Sequence, residues 1–468
     1  MIKPTLEEAK RLSPGHSLIP IALEIFSDIR TPMEVLRVLK AKGKNAYILE
    51  SVVSGENWGR YTFLGYDPSM IITGAGGNVT IKNASSETKI KGESHEILKK
   101  IVSEYKSPRI AYLPIFTGGF VGYFDYDYTN TGEFCLMLYK QVIAFDHLRQ
   151  KIFLITNIET DDLEQNYIEG VAELKDMQAL ITSERIADSP SGRITSDFSQ
   201  SVNESEFTRI VEKIKQYIRK GDVLQCVPSI KFTAGFEGDL LQAYRALRTI
   251  NPSSYMFYIQ FDDMQIAGAS PETLVSLKNG VVSTYPLAGT CKRTEDEVEN
   301  KRLIAKLLAD PKELAEHDML VDLGKDDLGK ICEPRSISVD EYRTIKICSH
   351  VYHIESKVTG RIKPEHGAFD AMSAALPAGT LSGAPKQRAM EIIAEVENEK
   401  RGVYGGAVGY IDFTGDMDLC IGIRMAILKG GKVSVQAGAG IVEGSVPINE
   451  YNECQNKARA MILALKHG

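Results

Sequence analysis

The chain has 468 residues, 43% of them hydrophobic and 25% charged, the makeup of a globular protein with room for two domains or one large core with insertions. Its formal net charge of −7, with no long Lys/Arg run, argues against a nucleic-acid partner, so an acidic ligand would have to be met by local cations. No apolar run approaches the ~18 residues of a membrane span, the N-terminus lacks the apolar core of a secretory signal, and the seven scattered cysteines form no C-x-x-C pair, which together predict a reduced cytoplasmic protein without structural zinc.

In chain order, an apolar stretch from residue 20 leads into "TPMEVLRVLKAKG". Thr31 as N-cap, Pro32 in the first turn and Gly43 at the end predict a helix there. Strand-like runs follow: "NAYILES", "YTFLGYDP", "SMIITG", "NVTIKN", then "RIAYLPIFTGGFVGYFDYD" and "KQVIAFDHLRQKIFLITNI". Turn residues at short intervals between β-branched and aromatic runs predict antiparallel sheet. "QNYIEGVAELKDMQALIT" reads as a helix, and the polar, Ser-rich segment 183–203 as a boundary. A helix over 204–221 opens the second half. Helices and strands do not alternate regularly, so the class is α+β, divided into an N-terminal domain, 1–190, and a second domain, 204–468.

Three motifs mislead. "GKDDLGKI" (324–331) has most of a phosphate-binding loop but puts Ile331 where Ser or Thr should ligate magnesium, and Asp326 and Asp327 would repel phosphate. "GAGIVEG" (438–444) has the wrong glycine spacing for a dinucleotide turn, and only one helix follows it. "HVYH" places His350 and His353 three apart on a predicted strand, where they face opposite ways and should not share a metal.

Two acidic stripes stand out. Glu313 and Glu316 follow a helix start at Asp310–Pro311, separated by about 60° of helical arc. Glu450, Glu453 and Lys457 lie similarly on the last predicted helix. Each could be a solvated face, and Glu453 with Lys457 has the favourable orientation of a surface pair. If the two helices faced each other, four carboxylates would crowd, and a hard divalent cation such as Mg²⁺ would relieve the repulsion.

Residues from about 205 to 460 resemble the chorismate-utilising enzymes, and within them the large, aminating subunits of anthranilate synthases. The resemblance rests on "GDVLQCVPS" (221–229), "AGASPETLV" (267–275), "YPLAGTCKR" (285–293), "LLADPKELAEHDMLVDLGKDDLGK" (307–330), "HVYHIES" (350–356), "LPAGTLSGAPKQRAMEII" (376–393), "YGGAVGYIDFTGDMD" (404–418), "IGIRM" (421–425), "QAGAGIVEGSVP" (436–447) and "NEYNECQNKA" (449–458). "YILESVVSGENWGRYTFLG" (47–65) extends it into the first half.

The resemblance implies antiparallel sheets packed as a sandwich with helices outside. It implies Mg²⁺ held by Glu316 and Glu453, backed by Glu313 and Glu450. Gly289, Thr290, Tyr404, Arg424, Gly438, Ala439, Gly440 and Lys457 would bind chorismate. Glu272 would protonate the departing C4 hydroxyl, and His353 would assist during pyruvate loss. Relatives that add water carry a lysine base where this chain has Gln225, and those that make para-aminobenzoate precursors carry a lysine where it has Ala288. Both departures imply ammonia as nucleophile and anthranilate as product, the first committed step toward tryptophan. With no fused glutaminase in the sequence, a separate glutamine amidotransferase subunit is implied, hence a hetero-oligomer. "LES" (49–51) and "NPSSYMFY" (251–258) resemble the segments of a tryptophan feedback site, with Ser51, Tyr255 and Met256 fitting and Ser254 standing where proline is usual. The rival readings are an aminodeoxychorismate synthase, a synthase that stops at 2-amino-2-deoxyisochorismate, and a silent amino-acid-binding protein on the same fold.

Overall fold

The computed structural model describes residues 2–51, 59–182, 191–347 and 351–467. Among these residues, two large antiparallel sheets dominate, one of 13 strands and one of 12. Their strands alternate in the way a two-sided core requires. In the strand Lys151–Glu159, Ile152 and Leu154 join helices on the outer face, while Phe153 and Ile155 enter the core between the sheets. Tyr255–Gln260 does the same, with Met256 and Tyr258 outward and Phe257 and Ile259 inward. The core between the sheets includes Phe63, Phe116, Val121, Met137, Phe257 and Tyr410. A second core lies under helices on the first sheet, and a third under helices on the other. The fold is therefore the expected α+β sandwich with helices outside.

Each sheet draws strands from both sides of the predicted boundary. In the first, Tyr47–Glu50 pairs with Tyr255–Gln260, setting Glu50 opposite Met256. In the second, Gly119–Phe124 pairs with Ala407–Asp412. The division at 190/204 thus separates stretches of chain, while both sheets run across it. Residues 183–190 lie outside the described residues, but the rest of the polar segment is partly strand. Arg193–Ile194 and Ser199–Gln200 add to the edge of Ser229–Glu237. Polar composition marks an exposed edge here as well as it would mark a linker.

The helix signals hold locally. Thr31 and Glu34 form a reciprocal capping box ahead of the helix Pro32–Lys42, and Gly43 follows its end. Asn203 and Glu206 do the same for Glu204–Arg219. By contrast, the long run 109–127 gives only one strand, Gly119–Phe124, because its first half is an irregular approach to the sheet. Among the described residues no helix is long and apolar enough to cross a membrane, and the six described cysteines are free.

Candidate active site

Asp310 caps the helix Pro311–Gly329 by accepting from Lys312 N at 2.9 Å. His317, fully buried, hydrogen-bonds Ser356 at 2.6 Å and pins this helix to the strand Val351–Arg361. Glu313 and Glu316 then stand in its first two turns. The helix Pro447–His467 carries Glu450, Glu453 and Lys457 in the corresponding place.

The two helix starts meet the same strand ends. Gln225 Nε2 donates to Glu316 Oε1 at 3.0 Å. A Cβ on Gly440 would fall 2.5 Å from that same Nε2, so any larger residue there would displace the Gln225 amide from Glu316. Lys457 bonds Glu453 at 2.7 Å and donates to the Gly438 carbonyl at 3.1 Å. Gln225 is fixed by a two-strand ladder in which it opposes Ala384, and its own Oε1 is buried without a protein partner. Burial, then the charge of Glu316, pushes the Glu313 carboxyl up. Burial also pushes up Glu450, with Glu453 adding and Lys312, from the other helix, opposing. Both helices therefore direct carboxylates, and the positive ends of their dipoles, to one place.

As placed, Glu316 turns to Gln225 and Glu453 to Lys457. Among the described residues no three acidic, His or Cys side chains converge into a ready-made metal cluster. The donor chemistry nonetheless fits a hard dication, since four carboxylates from two helix starts offer the oxygen ligands such an ion takes, and their mutual charge is what it relieves.

The opposite wall carries Glu272 and His353. Thr380 donates to Glu272 Oε1 at 2.8 Å. Burial pushes the Glu272 carboxyl up to about 7, against the Thr380 hydrogen bond and the positive charges of Lys346, Arg424 and Lys457. His353 Nδ1 lies 3.0 Å from the Gly289 carbonyl and 3.1 Å from Thr290 Oγ1. Burial pushes this imidazole down to about 4, with the charges of Arg424, Lys346 and Lys457 acting the same way against the Gly289 hydrogen bond. A carbonyl only accepts, so Nδ1 carries the hydrogen and Nε2 keeps its lone pair.

Gly289 reaches this position through a bulge, since the ladder between Leu287–Lys292 and Val351–Arg361 shifts register between Ala288 and Thr290. Its φ is +70°, and a Cβ there would lie 3.3 Å from Glu313 Oε2. Arg424 adopts a left-handed φ of +49°, a conformation costing roughly 1–2 kcal/mol that the surrounding sheet enforces while its carbonyl accepts from Ala269 N.

Tyr404 is buried, and its hydroxyl would lie 3.1 Å from a Cβ on Gly438. The Ala439 N–H donates to the Pro228 carbonyl at 3.2 Å. Ala288 opposes Ile354 in the sheet. Residues 324–329 are helical, which removes the phosphate-loop reading. His350 lies outside the described residues.

The sequence reading did not single out Thr380 or Lys346. Thr380 sits inside the family-like stretch 376–393, but only the fold turns it onto Glu272. Lys346 lies in a mixed-polarity strand, Ser338–Ile347, whose pattern does not say which face it takes.

A second hollow holds the other predicted set. Ser51, Ser254, Tyr255 and Met256 line it together with Phe63, Tyr410 and Cys420, and it spans ≈ 600 Å³ including its open mouth. Ser51 Oγ is buried there without a protein partner. Tyr255 Oη bonds Asp418 at 2.8 Å and Thr273 Oγ1 at 2.9 Å.

Residues 48–463 match the chorismate binding enzyme family. Anthranilate synthase component 1 of Acetivibrio thermocellus is 40% identical over 100% of this chain and 99% of its own length. That of Aquifex aeolicus is 38% identical over 99% and 97%. Among solved structures, anthranilate synthase component I from Streptococcus pneumoniae superposes with a TM-score of 0.77 at 37% identity, covering 93% of this chain and 98% of that one. The menaquinone-specific isochorismate synthase MenF of Escherichia coli shares the fold, with a TM-score of 0.73 at 19% identity over 98% of both chains.

Proposed function

Because the chain belongs to the chorismate-binding enzymes, we propose that it aminates chorismate with ammonia and releases anthranilate, pyruvate and water. The observation that carries this reading is the polarity of the site. In a protein of net charge −7, Lys346, Arg424 and Lys457 all act on Glu272 and His353, where a dicarboxylate would sit.

Ammonia forms the new C–N bond at C2, the ring double bonds shift, and the C4–O bond breaks. Glu272, protonated for a large fraction of the time near neutral pH, gives its proton to the departing hydroxyl, which leaves as water. In the second step the C2 proton is lost, the enolpyruvyl C–O bond breaks and the ring becomes aromatic. His353, neutral with a free Nε2 lone pair, is suited to accept or relay that proton. Gln225 is an amide and cannot activate water as a base, whereas unprotonated ammonia needs no activation.

Glu316 and Glu453, with Glu313 and Glu450 behind them, would hold Mg²⁺, which when bound supplies charge neutralisation for the ring carboxylate. The name "component 1" borne by the relatives supports a second component. We assign that role to a glutamine amidotransferase subunit delivering ammonia. The Ser51–Tyr255 hollow, apolar with an unpartnered hydroxyl, is assigned to tryptophan as feedback inhibitor.

The test is anthranilate fluorescence from chorismate and ammonium, with Mg²⁺ and with a chelator, alongside a pyruvate assay. Anthranilate and pyruvate in equal amounts, abolished by the chelator, are expected. Aminated product without pyruvate would overturn the reading in favour of aminodeoxychorismate or the uneliminated intermediate.

A further inference from the structure

Glu272 loses a proton in every turnover of the proposed reaction, and the nitrogen that joins C2 sheds one. Returning a single proton to Glu272 therefore closes the balance. With substrate or product covering it, the carboxyl would need to be reached from another side, and a small polar cavity borders it.

Behind Glu272 lies a cavity of ≈ 50 Å³ whose polar lining includes Thr380, Thr284, Asp327 and Lys386. That is room for a short chain of waters, since one water needs roughly 10–15 Å³ of such space and a few polar partners. At the far end Lys386 Nζ donates to Asp327 Oδ2 and, at 3.0 Å, to the Ala375 carbonyl. The pair is buried, with side chains 15% and 12% exposed. Asp327 Oδ1 in turn accepts from Lys330 Nζ at 3.0 Å, and Lys330 is 59% exposed. Asp327 and Lys330 belong to the segment 324–331, the near-miss phosphate loop, which the active-site assignment leaves without a role.

We propose that Lys330, Asp327 and Lys386 form a rear proton-return path that reloads Glu272 through the water-sized cavity between Lys386 and Thr380. This rests on the reaction proposed above. The proton passes from the Lys386 ammonium through cavity water to the Glu272 carboxylate, and Lys386 is recharged along Asp327 from the surface. No bond other than O–H and N–H forms or breaks, and no electrons change owner. Burial draws the Lys386 ammonium below the usual lysine range, which favours its role as donor. Lys386 and Asp327 are positioning groups acting through Glu272; neither touches the substrate.

The test compares the first turnover with later ones. The double variant Asp327→Asn/Lys386→Gln replaces the ion pair by neutral groups of similar size. With enzyme in excess over chorismate and saturating ammonium, its single-turnover rate should stay within about twofold of wild type, because Glu272 starts protonated. Its steady-state kcat should fall at least tenfold while kcat/KM for chorismate stays unchanged, so that KM falls in step, giving a burst of one anthranilate per site, and small proton-donating buffers should restore the rate. Gly324→Ala supplies an independent probe should the double variant not fold. Its Cβ would sit among cavity-lining atoms, 3.1 Å from Thr284 Cγ2, leaving both charges untouched. It should show the same burst in milder form. Single-turnover and steady-state rates that fall together, or a steady state that does not fall, overturn the path. Wild-type protein that makes no anthranilate overturns the reaction reading, and the path with it.

Discussion

Two hollows lie on either side of the strand Met417–Ile421. Cys420 lines the apolar one with Tyr255 and Ser51, while the next residue, Ile421, lines the cavity behind Glu272. Successive strand residues face opposite ways, so one strand serves both. The chemistry on the two sides differs sharply. On the side of Glu272, the charges of Lys346, Arg424 and Lys457 act on the proton affinities of that carboxyl and of the His353 imidazole. On the other, the lining is mostly aromatic and aliphatic, its carboxylates Glu50 and Asp418 are already paired with Arg248 and Tyr255, and the Ser51 hydroxyl is buried without a protein partner. The contrast separates a site that works by charge from one that works by shape. It also shows where they touch, at the Tyr255–Thr273 hydrogen bond, with Thr273 directly after Glu272.

The largest effect should come from the charged side. Glu272→Gln removes the proton donor at nearly constant shape, and kcat should fall on the order of 10²–10⁴-fold with little change in the KM for chorismate. Steady-state anthranilate fluorescence checks this, and an active glutamine variant would break the assignment.

Next, Lys457→Met removes a charge-assisted contact worth about 1.5–3 kcal/mol, so the KM for chorismate should rise roughly 10–100-fold. The same change should move the Glu272 titration to higher pH, because Lys457 holds that carboxyl down.

A pH profile sharpens the distinction further. At constant free ammonia, kcat should decline as pH rises through about 7, since Glu272 must be protonated to act. His353, pushed down to about 4, should add no limb near neutrality. Thr380→Val removes a hydrogen bond that favours the carboxylate, and so should move the limb upward.

The smallest effect belongs to the apolar side. Tyr255→Phe keeps the ring but loses its bonds to Thr273 and Asp418. At roughly 0.5–1.5 kcal/mol, the expected loss is a two- to tenfold weaker reciprocal effect of chorismate on tryptophan binding, read by calorimetry. Absence of tryptophan binding to the wild type at millimolar concentration would remove the assigned ligand.

Much of this was legible in the residues. The caps at Thr31 and Asn203 and the start at Asp310–Pro311 are local signals, fixed by hydrogen bonds that reach no further than three residues. The stretches around Glu272, Glu316, His353, Arg424 and Glu453 named the site by resemblance. Composition does not tell a linker from a sheet edge in segment 183–203, of which Arg193–Ile194 and Ser199–Gln200 pair with Ser229–Glu237. A glycine-rich corner does not say which N–H groups the fold already uses, and only the structure shows that of Ala439 on the Pro228 carbonyl.

By itself, then, the sequence determined the elements that depend on near neighbours and the residue types that chemistry demands. Only the tertiary structure set Thr380 against Glu272, brought Lys346 in from a neighbouring strand, interleaved both halves of the chain in two sheets, and joined residues 327 and 386 behind the acid. Those contacts span many residues of chain and depend on strand order and register, whereas periodicity reports only which residues share a face.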